Sequence, residues 1–431
     1  MRILHISDLH FGRFLGDLSR EAEQHALVNE IVQIADEEGA ALTLIAGDVF
    51  DAFTPPAWAE ELFFELIDGL AAGGTRAVAV IAGNHDSGLR LAAAEALATR
   101  LGIILAGEVG EPLRGFDGGG GRVRVVPVGP QLARVEVPGQ DAPVLIGMLP
   151  FLSEARVTRE GDGAMLADLR VENSRYTERL GAEIAARTAP ADPSAVRILM
   201  MHQFVAGGMS SESERRLRIG AFADLDGSAI PAGLDYVALG HLHRPQQITS
   251  SPSPALYAGS PIGYSFSEVG QDKRAVLVDV APGKPAKLKS VPLVSGRPLE
   301  IWQIKSIEEA VQRAAEAELK NPIVEVRADL GRRLNPADGD TLFNIGRAST
   351  PFMPGVTVVA VRDLHDPSRH DLAATASGDV PELRVEELFC ELWSRKHGAA
   401  PDEETVAELM GALLEVGRGD DSPSPRERGA D

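Results

Sequence analysis

A chain of 431 residues, 44% hydrophobic and 24% charged, has an ordinary globular composition and is longer than one compact core needs, so two or more domains are expected. Its formal charge of −21 argues against a protein that grips nucleic acid by general electrostatics. The single cysteine, Cys390, excludes an internal disulfide framework and suits a reducing cytoplasm, and no run of about 18 apolar residues offers a membrane span.

The start, Met1-Arg2-Ile3-Leu4-His5, runs straight into a strand over Arg2–Ser7, with no signal-peptide pattern. That strand ends in Ser7-Asp8-Leu9-His10. Glu21–Glu37 carries apolar residues at helical spacing. Leu42–Ala46 is a short apolar run, read as a buried strand that stops at Gly47-Asp48. Pro55-Pro56 opens a helix to about Leu70, closed by Gly73-Gly74. Ala77–Ala82 is a third buried strand, ending in Gly83-Asn84-His85-Asp86. A helix over Leu89–Thr99 and a strand over Leu101–Leu105 follow. This alternation predicts a largely parallel sheet.

The character then changes. Phe116–Gly121 is glycine-rich, and Arg122–Val128 and Val144–Leu149 read as antiparallel strands. Glu172–Arg187 reads as a helix. Arg197–Met201 and Leu234–Leu239 are apolar strands that end in His202 and in Gly240-His241-Leu242-His243. Further strands are expected at Ala255–Ala258, Ala275–Val280 and Leu288–Pro292. After breaks at Pro282–Pro285 and Gly296–Pro298, a capping box at Ser306–Glu309 opens a helix to about Leu319. Ile323–Arg327 and Val356–Val361 alternate like half-buried strands, giving a small α+β unit. A polar stretch at Asp363–Gly378 precedes two helices, Val385–Lys396 and Asp402–Val416. Cys390 lies in the first of these, as a small buried hydrophobe rather than a nucleophile. The charged, Pro/Ser-rich end is expected to be disordered.

The chemistry lies at the strand ends. Asp8, His10, Asp48, Asn84, His85, Asp86, His202, His241 and His243 all follow apolar strands, and five of the ten histidines fall in these loops. Gly47-Asp48 alone reads as a turn; the clustering makes Asp48 a candidate bridge between two metal ions. Carboxylate and imidazole donors without cysteine suit Mn, Fe or Zn better than Ca or a structural zinc site. Two divalent ions about 3.5–4 Å apart need a bridging carboxylate, and water between them becomes hydroxide near neutral pH. They bring four positive charges against the two of Asp8 and Asp48, so the site attracts phosphate despite the acidic protein. His85, beside a ligand, is placed to protonate a leaving alcohol. Asp86 either orients that imidazole or caps the loop toward Ser87-Gly88.

In this order, Asp-x-His, Gly-Asp, Gly-Asn-His-Asp, His and Gly-His-x-His resemble the calcineurin-like metallophosphoesterases. The resemblance implies an α/β fold, a four-layer sandwich of two facing mixed sheets flanked by helices. It implies that Asp8, His10, Asp48 and His243 hold one ion, that Asp48, Asn84, His202 and His241 hold the other, and that His85 is the acid. A narrower resemblance, to SbcD-type nucleases, rests on Ser7–Arg13, Ile45–Asp51, Ile81–Ser87, His202–Gly208, Tyr236–Gln246 and the metal-free run Gly259–Glu268. It covers about Met1–Leu299 and implies a metal-dependent DNA exonuclease and endonuclease, with manganese favoured and magnesium, iron or zinc as alternatives. It further implies an SbcC-type coiled-coil ATPase partner. A homodimer within a heterotetramer would form through Pro55–Leu70 and Leu89–Leu97.

The expected organisation is a nuclease domain over residues 1–295, a small α+β capping domain over 296–365 and a linker over 366–382. Partner-docking helices over 383–417 and a tail over 418–431 complete it. Where relatives commonly carry a histidine, this chain has Asp51. A phosphoesterase for a small substrate, such as a cyclic nucleotide or nucleotide diphosphate, is the competing reading, and the acidic charge favours it.

Overall fold

A computed structural model describes residues 1–152, 169–188, 192–211, 214, 225–317, 320–345 and 355–364. The linker, the two C-terminal helices, Cys390 and the tail lie outside the described residues. The elements in chain order are β1 (Arg2–Ile6), β2 (Phe14–Leu15), β3 (Leu18–Ser19), α1 (Glu21–Glu37), β4 (Leu42–Ala46), α2 (Ala57–Ala71) and β5 (Ala77–Ile81). Next come α3 (Gly88–Ala92), α4 (Glu95–Ala98), β6 (Ile103–Ala106), β7 (Arg124–Gly129), β8 (Leu132–Glu136), β9 (Val144–Leu149), α5 (Leu169–Arg187) and β10 (Val196–His202). The remainder is β11 (Tyr236–Gly240), β12 (Gln246–Ile248), β13 (Ala255–Tyr257), β14 (Arg274–Ala281), β15 (Lys284–Pro292), β16 (Leu299–Ile304), α6 (Ile307–Ala317), β17 (Ile323–Ala328), α7 (Pro336–Asn344) and β18 (Thr357–Asp363).

Two mixed sheets face each other. The first has the order β15-β14-β1-β4-β5-β6, parallel from β1 to β6 and closed by the antiparallel pair β14 and β15. The second has the order β12-β13-β11-β10-β9-β8-β7, with β9, β10, β11 and β13 parallel. Between them lies one apolar core, with Ile3, Leu42, Leu44, Ala79 and Ile81 from the first sheet against Ile146, Met148, Ile198, Met200 and Ala238 from the second. The parallel strands are buried on both faces, which is why they read as continuous apolar runs rather than as alternation. On the outer face of the first sheet, α2 presents Leu62, Phe63, Leu66, Ile67 and Leu70 at helical spacing, each burial contributing roughly 1.5–3 kcal/mol. Helix α5 covers the second sheet through Tyr176, Leu180 and Ile184. The result is helix, sheet, sheet, helix.

A third, all-parallel sheet, β16-β17-β18, carries α6 and α7 and buries its own core of Trp302, Ile304, Val324, Val326 and Leu342. Arg297 ties it to helix α1 under the first sheet. The Arg297 amide donates to Glu23 at 2.6 Å, and its guanidinium donates to the carbonyls of Asn321, Pro322 and Gly355 and to Thr357 Oγ1.

Several expectations need correction. The helix read over Leu89–Thr99 is two short helices and a single 3₁₀ turn at Thr99–Leu101, with Leu91 buried and Leu89 and Leu97 exposed. The segment Val144–Leu149 is antiparallel only to β8; its other neighbour, β10, is parallel. Strand β15 begins at Lys284, not Leu288. It is an edge strand with Lys284, Lys287 and Lys289 exposed, the charged signature that blocks edge-to-edge pairing and hides a strand from an apolar pattern search.

Candidate metal centre

All the candidate loops leave the C-terminal ends of parallel strands, where open α/β sheets collect ligands. The loops after β1 and β4 run on side by side: the amides of Asp8, His10 and Phe11 donate to the carbonyls of Gly47, Asp48 and Val49. To turn their side chains inward, Asp8, His10 and Asp48 take φ values of 54°, 45° and 50°, and His241 takes 107°. Four non-glycine residues in this sterically disfavoured region, all at one site, mark backbone strain held by the surrounding fold. Gly47 and Gly83 make room for it. A Cβ on Gly47, whose φ is +89°, would run into the His202 ring, and one on Gly83 into the Asp48 carboxylate.

The side chains converge from both sheets. Potential ligand atoms of Asp8, His10 and His243 lie within 4.8 Å of one another, as do those of Asp8, Asp48 and His202. His10 Nε2 faces His243 Nε2 at 3.0 Å, and Asp48 Oδ2 lies 3.6 Å from His10 Nε2 and 3.3 Å from His202 Nε2. Asn84 Oδ1 lies 3.1 Å from His202 Nε2 and 2.9 Å from His241 Nδ1. Every one of these residues except His241 is buried; His241 is partly covered.

The donor set fits a cation. His202 Nδ1 lies 2.8 Å from the Ala46 carbonyl and donates to it, so Nε2 of the neutral ring offers a lone pair to the oxygens of Asn84 and Asp48. Lone pairs facing lone pairs at about 3 Å need either an added proton or a metal ion between them. Burial opposes the His202 cation, but the Asp48 and Asp8 carboxylates outweigh it and push its pKa up to about 9. Burial raises Asp8, while it lowers His10 and His241 to about 3, leaving both rings neutral and able to ligate.

His85 donates its backbone N–H to Asp48 Oδ1 at 2.9 Å, and its ring stands edge-on to His10 at 4.7 Å between centroids. The orienting role expected of Asp86 is corrected. Asp86 does not hydrogen-bond to the imidazole; its carboxylate accepts from the amides of Val49, Phe50 and Gly83 and so ties the loop after β4 to the loop after β5. His85 Nδ1 is held instead by the Asp51 carbonyl at 2.8 Å. The Asp51 carboxylate pairs with Arg13 at 2.7 Å and sits 3.5 Å from His10 Nδ1.

Three supporting residues were not singled out from sequence. Gln24, on α1, donates to the His10 carbonyl at 2.9 Å. The Tyr264 hydroxyl donates to the Leu9 carbonyl. Glu268, fully buried, faces His243 Nδ1 at 3.5 Å. Tyr264 and Glu268 both belong to the run Gly259–Glu268, whose place beside the site gives a metal-free motif a physical reason.

The chain belongs to the calcineurin-like phosphoesterases, the family matched by residues 1–245. Among curated proteins, the SbcD subunit of nuclease SbcCD from Bacillus subtilis (strain 168) is 33% identical over 409 residues, 94% of this chain and 96% of the relative. The SbcD subunits of Rhodobacter capsulatus (33% identical, covering 81% of each chain) and Escherichia coli K12 (27% identical, covering 90% of this chain and 92% of the relative) also match. Within the phosphoesterases the chain belongs to the SbcD-type nucleases. It is a hydrolase that works with divalent metal. Among the described residues no helix is long and apolar enough to cross a membrane.

Proposed function

We propose that this chain is the nuclease subunit of an SbcCD-type complex and cleaves DNA phosphodiesters at a centre of two divalent ions, manganese first among them. The carrying observation is the convergence of Asp8, His10, Asp48, Asn84, His202, His241 and His243 from two sheets onto one buried cluster. In this reading Asp8, His10, Asp48 and His243 bind one ion, Asn84, His202 and His241 bind the other, and Asp48 is shared. When bound, the ions supply a hydroxide nucleophile near neutral pH and offset charge on the non-bridging phosphate oxygens.

The protein's own part is positioning. The Asp51 carbonyl accepts from His85 Nδ1–H, and the ring, when it carries a proton on both nitrogens, hands the one on Nε2 to the leaving oxygen. Asp86 keeps the Asp48 and His85 loops in register through its three amide contacts.

The partner is an SbcC-type coiled-coil ATPase docked by the C-terminal segment Val385–Val416, with ATP-dependent exonuclease and hairpin endonuclease activity in DNA repair. Two nuclease chains pair through the α2 to α4 face, where Phe64, Leu89 and Leu97 stand 45%, 69% and 70% exposed. The acidic charge of −21 favours the competing reading, a small-substrate phosphoesterase. A cleavage assay on hairpin and linear duplex DNA, with Mn against Mg and with and without the ATPase, separates the two. Duplex degradation by the complex supports the nuclease reading; a complex that leaves duplex DNA intact but hydrolyses a cyclic dinucleotide overturns it.

A further inference from the structure

The run Gly259–Glu268 contributes no candidate ligand, yet one of its side chains is a carboxylate with no solvent exposure, beside a candidate ligand ring. Glu268 Oε2 accepts from Lys273 Nζ and, at 3.1 Å, from Ser260 Oγ; Oε1 accepts from the Tyr264 amide at 3.1 Å and lies 3.5 Å from His243 Nδ1. Lys273 Nζ also donates to Ser260 Oγ at 2.8 Å and to the His243 carbonyl at 3.3 Å. The His243 amide donates to Glu214 at 2.6 Å. His243 is therefore gripped at its amide, its carbonyl and its outer ring nitrogen, while Nε2 points at His10 Nε2.

A buried carboxylate–ammonium pair is a poor stability device, because desolvating both charges offsets most of their attraction. A second role is needed to account for a carboxylate whose other oxygen is turned to an imidazole. We infer that Glu268 is a positioning residue for His243. It accepts from Nδ1–H, fixes the tautomer with a lone pair on Nε2, and raises the donor strength of that nitrogen. Lys273 and Ser260 hold the carboxylate in place. The 3.5 Å separation is the longest link in this chain of contacts, and a shift of a few tenths of an ångström makes it a normal hydrogen bond.

The contrast with His202 sharpens the claim. His202 Nδ1 is held by a neutral carbonyl, that of Ala46 at 2.8 Å, whereas His243 Nδ1 is met by a full negative charge. The two ions are thus served by unlike supports, and only the one on His243 depends on Glu268. Loss of such an outer partner typically weakens metal binding by about 10–100-fold.

The inference rests on the proposed assignment of His243 as a metal ligand. Its test is manganese titration of the full chain by calorimetry, with folding of each variant checked by circular dichroism. The wild type is expected to bind two ions; fewer than two would bring down the assignment itself. Glu268→Gln is expected to weaken one of the two by about 10–100-fold and to spare the other. The weakened ion should be the one lost in His243→Ala. If the single variant does not fold, Glu268→Gln with Lys273→Met leaves no unpaired buried charge and carries the same expectation. Two wild-type affinities in a folded Glu268 variant, or equal weakening of both ions, would overturn the positioning role while leaving the metal assignment standing.

Discussion

The two sheets bring their residues to the centre by different means. From the first sheet, Asp8, His10 and Asp48 arrive on short loops that follow β1 and β4, held in place by amide–carbonyl bonds between those loops and bent into left-handed backbone. From the second sheet, His202 arrives at the end of a regular strand, and its orientation is set through the far ring nitrogen. His243 stands on the loop after β11 with its far ring nitrogen facing Glu268, and His241 belongs partly to each side, having both a positive φ and a ring contact to Asn84. The difference teaches where the centre is vulnerable. On the first-sheet side the backbone does the positioning, so side-chain changes should remove chemistry and leave geometry. On the second-sheet side, geometry itself hangs on neighbouring atoms.

Asp48→Ala tests the first side most severely. Activity is expected to fall on the order of 10⁴-fold in a cleavage assay while circular dichroism is unchanged, since the carboxylate proposed to be shared goes and the amide–carbonyl bonds between the loops stay. A folded variant with normal cleavage and two bound ions would break the contrast at its centre. His85→Ala should cost about 10²–10⁴-fold in turnover with metal content intact, as expected for an acid that is not a ligand. Loss of metal along with turnover would instead make His85 part of the binding shell.

Gly47→Ala tests the second side without replacing a candidate ligand. Its Cβ pushes on the His202 ring, and activity should drop by about 10²-fold, a loss of the size a 1 Å misplacement can cause. The positive φ adds about 1–3 kcal/mol of destabilisation, read as a lower midpoint in thermal or urea unfolding. Asp86→Asn is expected to have the smallest effect on chemistry. It leaves buried amides short of an acceptor, costing about 1–3 kcal/mol in stability, with the Mn titration unchanged. A large change in the pH dependence of cleavage for this variant would return Asp86 to the role of orienting His85.

The same contrast explains what could be read from sequence. Strands such as Leu42–Ala46 and Ala77–Ile81 are fully buried and end in chemically distinctive residues, so both strand and site were legible in local pattern. The lysine-rich edge β15 was legible only in its last residues, because burial on one face was too slight to leave alternation. Helix α7 did carry a signal that passed unread: Asn335 and Asp338 form a reciprocal capping box around Pro336. The supporting contacts were not legible in the same way. Glu268 meets His243 only through the fold, 25 residues away along the chain. The Asp51 partner of His85 is a carbonyl, an atom every residue carries, and no residue type could announce it.

The facing arrangement of the sheets has one more consequence, for thermodynamic linkage. The chain has a single cysteine and so no covalent means of tying one sheet to the other. On the proposed assignment, a cation held jointly by Asp48 of the first sheet and His202 of the second would act as a cross-link across the interface, as a disulfide does in a secreted domain. Its free energy of binding is lost when the sheets part, so it adds to their stability. At a free ion concentration 100 times the dissociation constant this amounts to about 2.7 kcal/mol per ion. Chelation is then expected to lower the unfolding midpoint as well as to stop cleavage, and the midpoint should climb with manganese concentration in a thermal melt. The ions that serve the reaction would also be fastenings of the sandwich.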